Sequence, residues 1–86
     1  MPEICRFYGI IIYMYYNEHQ PPHFHAVYGE YQALISIETL SVIAGSLTPR
    51  ALGLVIEWAG RNKTHLEILW EKAINHQVLD KIAPLE

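Results

Sequence analysis

The sequence predicts an α+β domain, a small antiparallel sheet of three to four strands followed by two antiparallel helices packed on one face. Three observations carry that expectation. Segments rich in Ile, Tyr and Val fill the first half of the chain, a two-residue Gly29-Glu30 turn joins two of them, and helical periodicity begins only after Thr48-Pro49. A chain of 86 residues has room for one such domain, spanning 1–86, around one core.

The first strand is expected over residues 8–16, where isoleucine and tyrosine dominate until the polar group Asn17-Glu18-His19-Gln20 and two prolines. Strands over 23–28 and 31–37 form a hairpin, because Gly at the first central position of a two-residue turn marks type II′. That turn sets a register, with Tyr28 opposite Tyr31, Ala26 opposite Ala33 and Phe24 opposite Ile35. Val27, His25 and His23 then oppose Gln32, Leu34 and Ser36. Since strand side chains alternate between faces, Phe24, Ala26, Tyr28, Tyr31, Ala33, Ile35 and Ile37 share a core face. His23, His25, Gln32 and Ser36 share the other with Val27 and Leu34. In the first strand Ile10, Ile12 and Met14 are the more aliphatic set and belong with the core, which places Ile11, Tyr13 and Tyr15 beside the histidines.

A short fourth strand is expected over 40–45, where Gly45-Ser46 ends it. The first helix, about 49–60, has Thr48 as N-cap, Pro49 at its first position, and Leu52, Val55, Ile56 and Ala59 at helical spacing. A second, over 64–80, opens on the capping box Thr64-His65-Leu66-Glu67. Its apolar stripe is Leu66, Leu69, Trp70, Ala73 and Ile74, continued to Val78, and Pro84 stops it. Both tryptophans fall on or beside these stripes and read as core. Helices on one sheet face leave the other open, and an open face carrying His, Tyr, Leu and Val points to a homodimer or a small protein partner.

With 51% hydrophobic and 17% charged residues the chain reads as compact and globular. Six basic against nine acidic residues count against holding nucleic acid through a broad cationic surface, since only Arg50, Arg61 and Lys63 lie close together. The longest apolar run, Ile10 to Tyr16, is too short to span a membrane, and no basic-then-apolar signal opens the chain. Cys5 stands alone and reads as a small buried hydrophobe. Together these features predict a cytoplasmic protein that is not exported.

The rarest side chains gather in Pro21-Pro22-His23-Phe24-His25. The prolines impose an extended approach, and residues two apart on a strand project the same way, about 6.5–7 Å apart. Imidazoles so placed converge on one ion such as zinc or nickel, with His19 or Glu18 reaching back from the loop and water in an open position. The same stretch, as a surface of Pro21, Pro22, His23, His25, Tyr13, Tyr15 and Leu34, also suits a protein partner. A third reading makes His23 or His25 the acid and base of RNA cleavage, with Arg50 or Lys63 facing phosphate. A cupin site does not fit, since Glu30 sits inside the turn and helices replace the strands of a jelly roll. His65, His76 and Glu57 read as solvated helical residues.

The run Pro21-Pro22-His23-Phe24-His25-Ala26 with Tyr28-Gly29-Glu30, then Gly45, Leu47 and Arg50, then Glu57-Trp58 and Leu66 with Trp70, resembles a family of small bacterial proteins catalogued as domain of unknown function 4160. The likeness spans nearly the whole chain, with Thr48 standing where the family joins leucine to proline directly. The resemblance implies a compact bacterial cytosolic protein in a setting that suggests toxin–antitoxin or regulatory modules, and no established activity, substrate or cofactor. The leading expectation is a protein-interaction or regulatory, toxin–antitoxin-associated module using the histidine-bearing face. The alternative is a metal-binding or histidine-catalysed hydrolase centred on His19, His23 and His25, with zinc or nickel as the ion.

Overall fold

A computed structural model describes residues 2–86. Its elements are β1 Glu3–Phe7, β2 Ile10–Tyr13, β3 His23–Tyr28, β4 Tyr31–Ser36, β5 Val42–Ser46, α1 Pro49–Arg61 and α2 Lys63–Ile74. The strands make one antiparallel sheet in chain order. Five strands replace the three to four expected because Glu3–Phe7, left out of the expected strands, forms β1, while the strand expected over 8–16 is confined to Ile10–Tyr13. Tyr8 and Gly9 take φ of +49° and +80°, the left-handed pair that a type I′ hairpin turn requires. The turn folds β1 back onto β2. A tyrosine rarely accepts that conformation, which is why the turn is silent in the sequence.

The other boundaries move for similar reasons. Strand pairing begins at Val42 and not at Leu40, because Leu40 has φ +57° and donates its N–H to the Ser36 carbonyl at 2.9 Å, closing a turn. Gly45, at φ +74°, lets β5 lie against β4, since a Cβ there would collide with the Gln32 carbonyl oxygen. Between β3 and β4 every expected pair is present, from Tyr28 with Tyr31 to His23 with Ser36.

Period-2 alternation then sorts the faces. Ile10, Ile12, Met14, Phe24, Ala26, Ala33 and Ile35 are fully buried, in one cluster with Val55, Trp58, Ala59, Leu66 and Leu69 of the two helices. Tyr31, expected there, is exposed at the hairpin tip. In α1 the buried stripe is Ala51, Val55, Trp58 and Ala59, rotated from the expected one so that the bulky indole takes the deep position. Leu52 and Ile56 are half-buried beside it. The Thr48 hydroxyl accepts from the Ala51 N–H, as an N-cap should.

In α2 the Thr64–Glu67 box goes unused, because α2 starts at Lys63 and Asn62 serves as the end of one helix and the start of the next. It also stops at Ile74, short of the expected 80. Gln77 N–H reaches the Lys72 carbonyl at 2.8 Å, His76 N–H reaches that of Ala73 at 3.1 Å, and His76 takes φ +54°. This is a Schellman end with histidine at the left-handed position usually held by glycine. Ile74 and Val78 are consequently exposed.

After α2 the chain returns to the sheet as a strap. Ile82 N–H donates to the Ile4 carbonyl at 2.8 Å on the outer edge of β1, the Trp58 indole N–H donates to the Ala83 carbonyl at 2.9 Å, and Ile82 and Leu85 are buried. Asp80 pins the strap to α2 by accepting from Lys72 Nζ at 3.0 Å and from His65 Nε2 at 2.9 Å. Those two contacts, Lys72 foremost, hold its pKa down at about 2 from an ordinary 3.8. A depressed folded pKa means a contribution that is present above the ordinary value and lost as pH falls through about 2. Urea denaturation of the wild type and Asp80→Asn is therefore expected to separate near neutral pH and to converge in acid, and a gap unchanged with pH would refute the pin.

Candidate metal centre

β3 begins directly after Pro21-Pro22, with the Ile37 N–H donating to the Pro22 carbonyl at 3.1 Å, so His23 and His25 are set on a paired and rigid strand. Their ring centroids lie 5.4 Å apart. Tyr13 of β2 and Leu34 of β4 flank His25 in register. The His25 ring meets Tyr15 edge to face at 4.4 Å, and the His23 ring lies 5.3 Å from Trp70 of α2. The histidines are not an open surface. Only 6% of His23 and 8% of His25 is exposed, and Tyr15 and Glu18 of the loop after β2 lie against His25.

The hydrogen bonds assign roles to the ring nitrogens. His23 Nδ1 lies 2.8 Å from the Pro21 carbonyl oxygen, which only accepts, so Nδ1 carries the proton and neutral His23 keeps a lone pair on Nε2. That Nε2 is buried and has no hydrogen-bond partner. Glu18 Oε1 lies 3.7 Å from it, and accepts a 2.6 Å hydrogen bond from His25 Nε2. This bond from His25 foremost holds the Glu18 carboxyl below its ordinary value. On the far side of His25, Nδ1 faces the Gln32 side-chain amide at 3.4 Å.

Glu18, His23 and His25 thus offer three ligand atoms all within 4.8 Å of one another. An ion held at about 2.1 Å in tetrahedral geometry wants its ligands about 3.4 Å apart, so the 2.6 Å Glu18–His25 pair has to open and the wider pairs to close, adjustments within reach of side-chain rotation. Two further features suit an ion. A metal-bound histidine characteristically donates its second N–H to a carbonyl or carboxylate, and His23 already does so. An ion on His25 Nε2 would require the ring proton on Nδ1, where the Gln32 amide, turned over, would offer an oxygen.

Of the side chains named from sequence, His23, His25 and Glu18 lie together here, while His19, the alternative to Glu18, stands outside the cluster. His19 is exposed and lines an adjoining cavity of about 230 Å³ with Glu18, Gln20, Pro21, His23, Leu34 and Ile43. The sequence offers both loop residues and does not choose between them, because the choice depends on how the loop folds back over β3. Tyr13, Tyr15 and Leu34 border the histidines and are half-buried, whereas Pro21 is exposed and Pro22 half-buried. The remaining candidates are engaged elsewhere. His65 bonds Asp80, His76 stacks on Tyr16 at 6.2 Å, Lys63 donates to the Glu38 carbonyl, Arg61 pairs with Glu57, and burial pushes the Cys5 thiol pKa up.

No curated protein and no solved structure matches the chain. No helix among the described residues is long and apolar enough to cross a membrane. Residues 9–71 match the model of a family described as a domain of unknown function, DUF4160, and over that span, most of the chain and all of β2 to α1, the protein belongs to that family.

Proposed function

We propose that Glu18, His23 and His25 hold one divalent transition ion, zinc or nickel, and that the protein is a metal-dependent hydrolase. The observation that carries this is the His23 Nε2 lone pair, buried without a partner beside a carboxylate and a second imidazole, with its own N–H locked on Pro21. Leaving such a nitrogen unpaired costs about 1–3 kcal/mol, and an ion removes that cost. Three protein ligands leave a position for water, which a bound zinc acidifies to a pKa of about 7, the arrangement of hydrolytic and not of structural sites. The adjoining cavity gives substrate a route to it.

The test is a calorimetric titration of tag-free protein stripped with chelator. One zinc or nickel per chain, bound tighter than the micromolar range, is the expected result, and binding weaker than that overturns the reading. A regulatory, toxin–antitoxin-associated interaction module draws support from the family resemblance and from the exposed Val42 and Ile43 of β5. Burial of the histidines favours the metal reading over an interface made by their face, and over metal-free catalysis by an exposed imidazole.

A further inference from the structure

We infer that the substrate of this site is a small neutral acyl compound, an amide or ester of a short aliphatic acid, whose carbonyl meets the ion at the buried end of the cavity while its alkyl chain lies on Leu34 and Ile43. The inference rests on the metal reading above.

Burial grades along the cavity. Towards one end His23 is buried and Glu18 and Leu34 are half-buried, whereas His19, Pro21 and Ile43 at the rim are exposed. Two of the three ligands thus stand at the closed end, and a molecule entering past His19 meets them last. The cavity holds about 230 Å³, less than the roughly 300–1,000 Å³ of pockets that enclose drug-sized ligands. Its occupant is therefore limited to a few carbon atoms beyond the carbonyl.

The lining selects against charged substrates. Glu18 is its one carboxylate, and no lysine or arginine contributes to it. Four of the six basic residues, Arg6, Arg61, Lys63 and Lys72, are engaged elsewhere, on Glu3, Glu57, the Glu38 carbonyl and Asp80. A phosphate in the cavity would face the Glu18 charge with the ion as its sole counter-charge, whereas a neutral carbonyl gives the ion an oxygen and needs no second cation. Leu34, Ile43 and Pro21 supply apolar walls, and Ile43 is 45% exposed, so an alkyl chain laid on it removes apolar surface from water. In the hydrolysis, water gives its hydroxyl to the acyl carbon and its remaining proton to the departing nitrogen or oxygen. The bond to that atom breaks with no further reactant.

The probes are alkyl hydroxamates, which carry the carbonyl and bind zinc, titrated calorimetrically into zinc-loaded full-length protein beside inorganic phosphate. Each buried methylene is worth about fourfold in affinity, so butyrohydroxamate is expected to bind about fifteenfold tighter than acetohydroxamate. Phosphate is expected to bind more weakly than either. Ile43→Asn should remove the chain-length gain with zinc affinity unchanged, whereas Val42→Asn, on β5 but outside the cavity lining, should keep it. If zinc binds and the two hydroxamates bind alike, if Ile43→Asn keeps the gain, or if phosphate binds tighter than butyrohydroxamate, this inference falls while the metal reading stands. If zinc does not bind, both fall.

Discussion

Replacing both histidines, His23→Gln with His25→Gln, is expected to abolish zinc binding while leaving the fold in place. Each substitution removes an imidazole lone pair and leaves a neutral side chain of similar bulk. Removing a group that merely hydrogen-bonds to a metal ligand weakens metal sites by about ten- to a hundredfold, so the loss of two of three direct ligands should exceed that upper figure and take affinity out of the calorimetric range. Glu18 is then the one ligand left of the three. The double variant should retain the wild-type far-ultraviolet circular dichroism and a cooperative melt, because β3 is held by its ladder to β2 and β4 and by Phe24 and Ala26 on the opposite face. Zinc bound by the variant as tightly as by the wild type would place the ion elsewhere.

Trp58→Ala is expected to destabilise the protein by about 3–5 kcal/mol, as large aromatic truncations in a core do, a large share of the roughly 5–15 kcal/mol that holds a domain together. The indole is fully buried, packs on Phe7 at 5.5 Å and Phe24 at 5.8 Å, and ties α1 to the C-terminal strap through Ala83. One side chain therefore joins the first strand, the central hairpin, the first helix and the last segment. Urea denaturation of Trp58→Ala and Trp58→Phe separates its two roles. Phenylalanine keeps most of the packing and loses the N–H bond, worth about 1 kcal/mol. A cost below that for Trp58→Ala would mean that the strap and β1 do not depend on this contact.

How much of this was legible follows the range of each interaction. The hairpin register, the partition of Phe24, Ala26, Ala33 and Ile35 from His23 and His25, and the start of α1 at Thr48-Pro49 all stand in the sequence. Each is set by a turn, an alternation or a cap acting within a few residues. The missed features share a different cause. Tyr8 and His76 hold left-handed positions usually given to glycine or asparagine, so Gly9 alone did not mark the β1–β2 hairpin and nothing marked the end of α2. Packing imposed those conformations against local preference.

The candidate site divides along the same line. That His23 and His25 lie on one face is a consequence of strand period, readable from their spacing alone. That Glu18 and not His19 joins them depends on how the loop from Met14 to Pro22 folds over β3. The burial of both imidazoles, the unpartnered Nε2 of His23, and the meeting of Ile43 with the metal cavity are likewise products of assembly. Local chemistry fixes which way a side chain points, but what stands opposite it is chosen by segments distant in the chain, and only the folded whole brings those together.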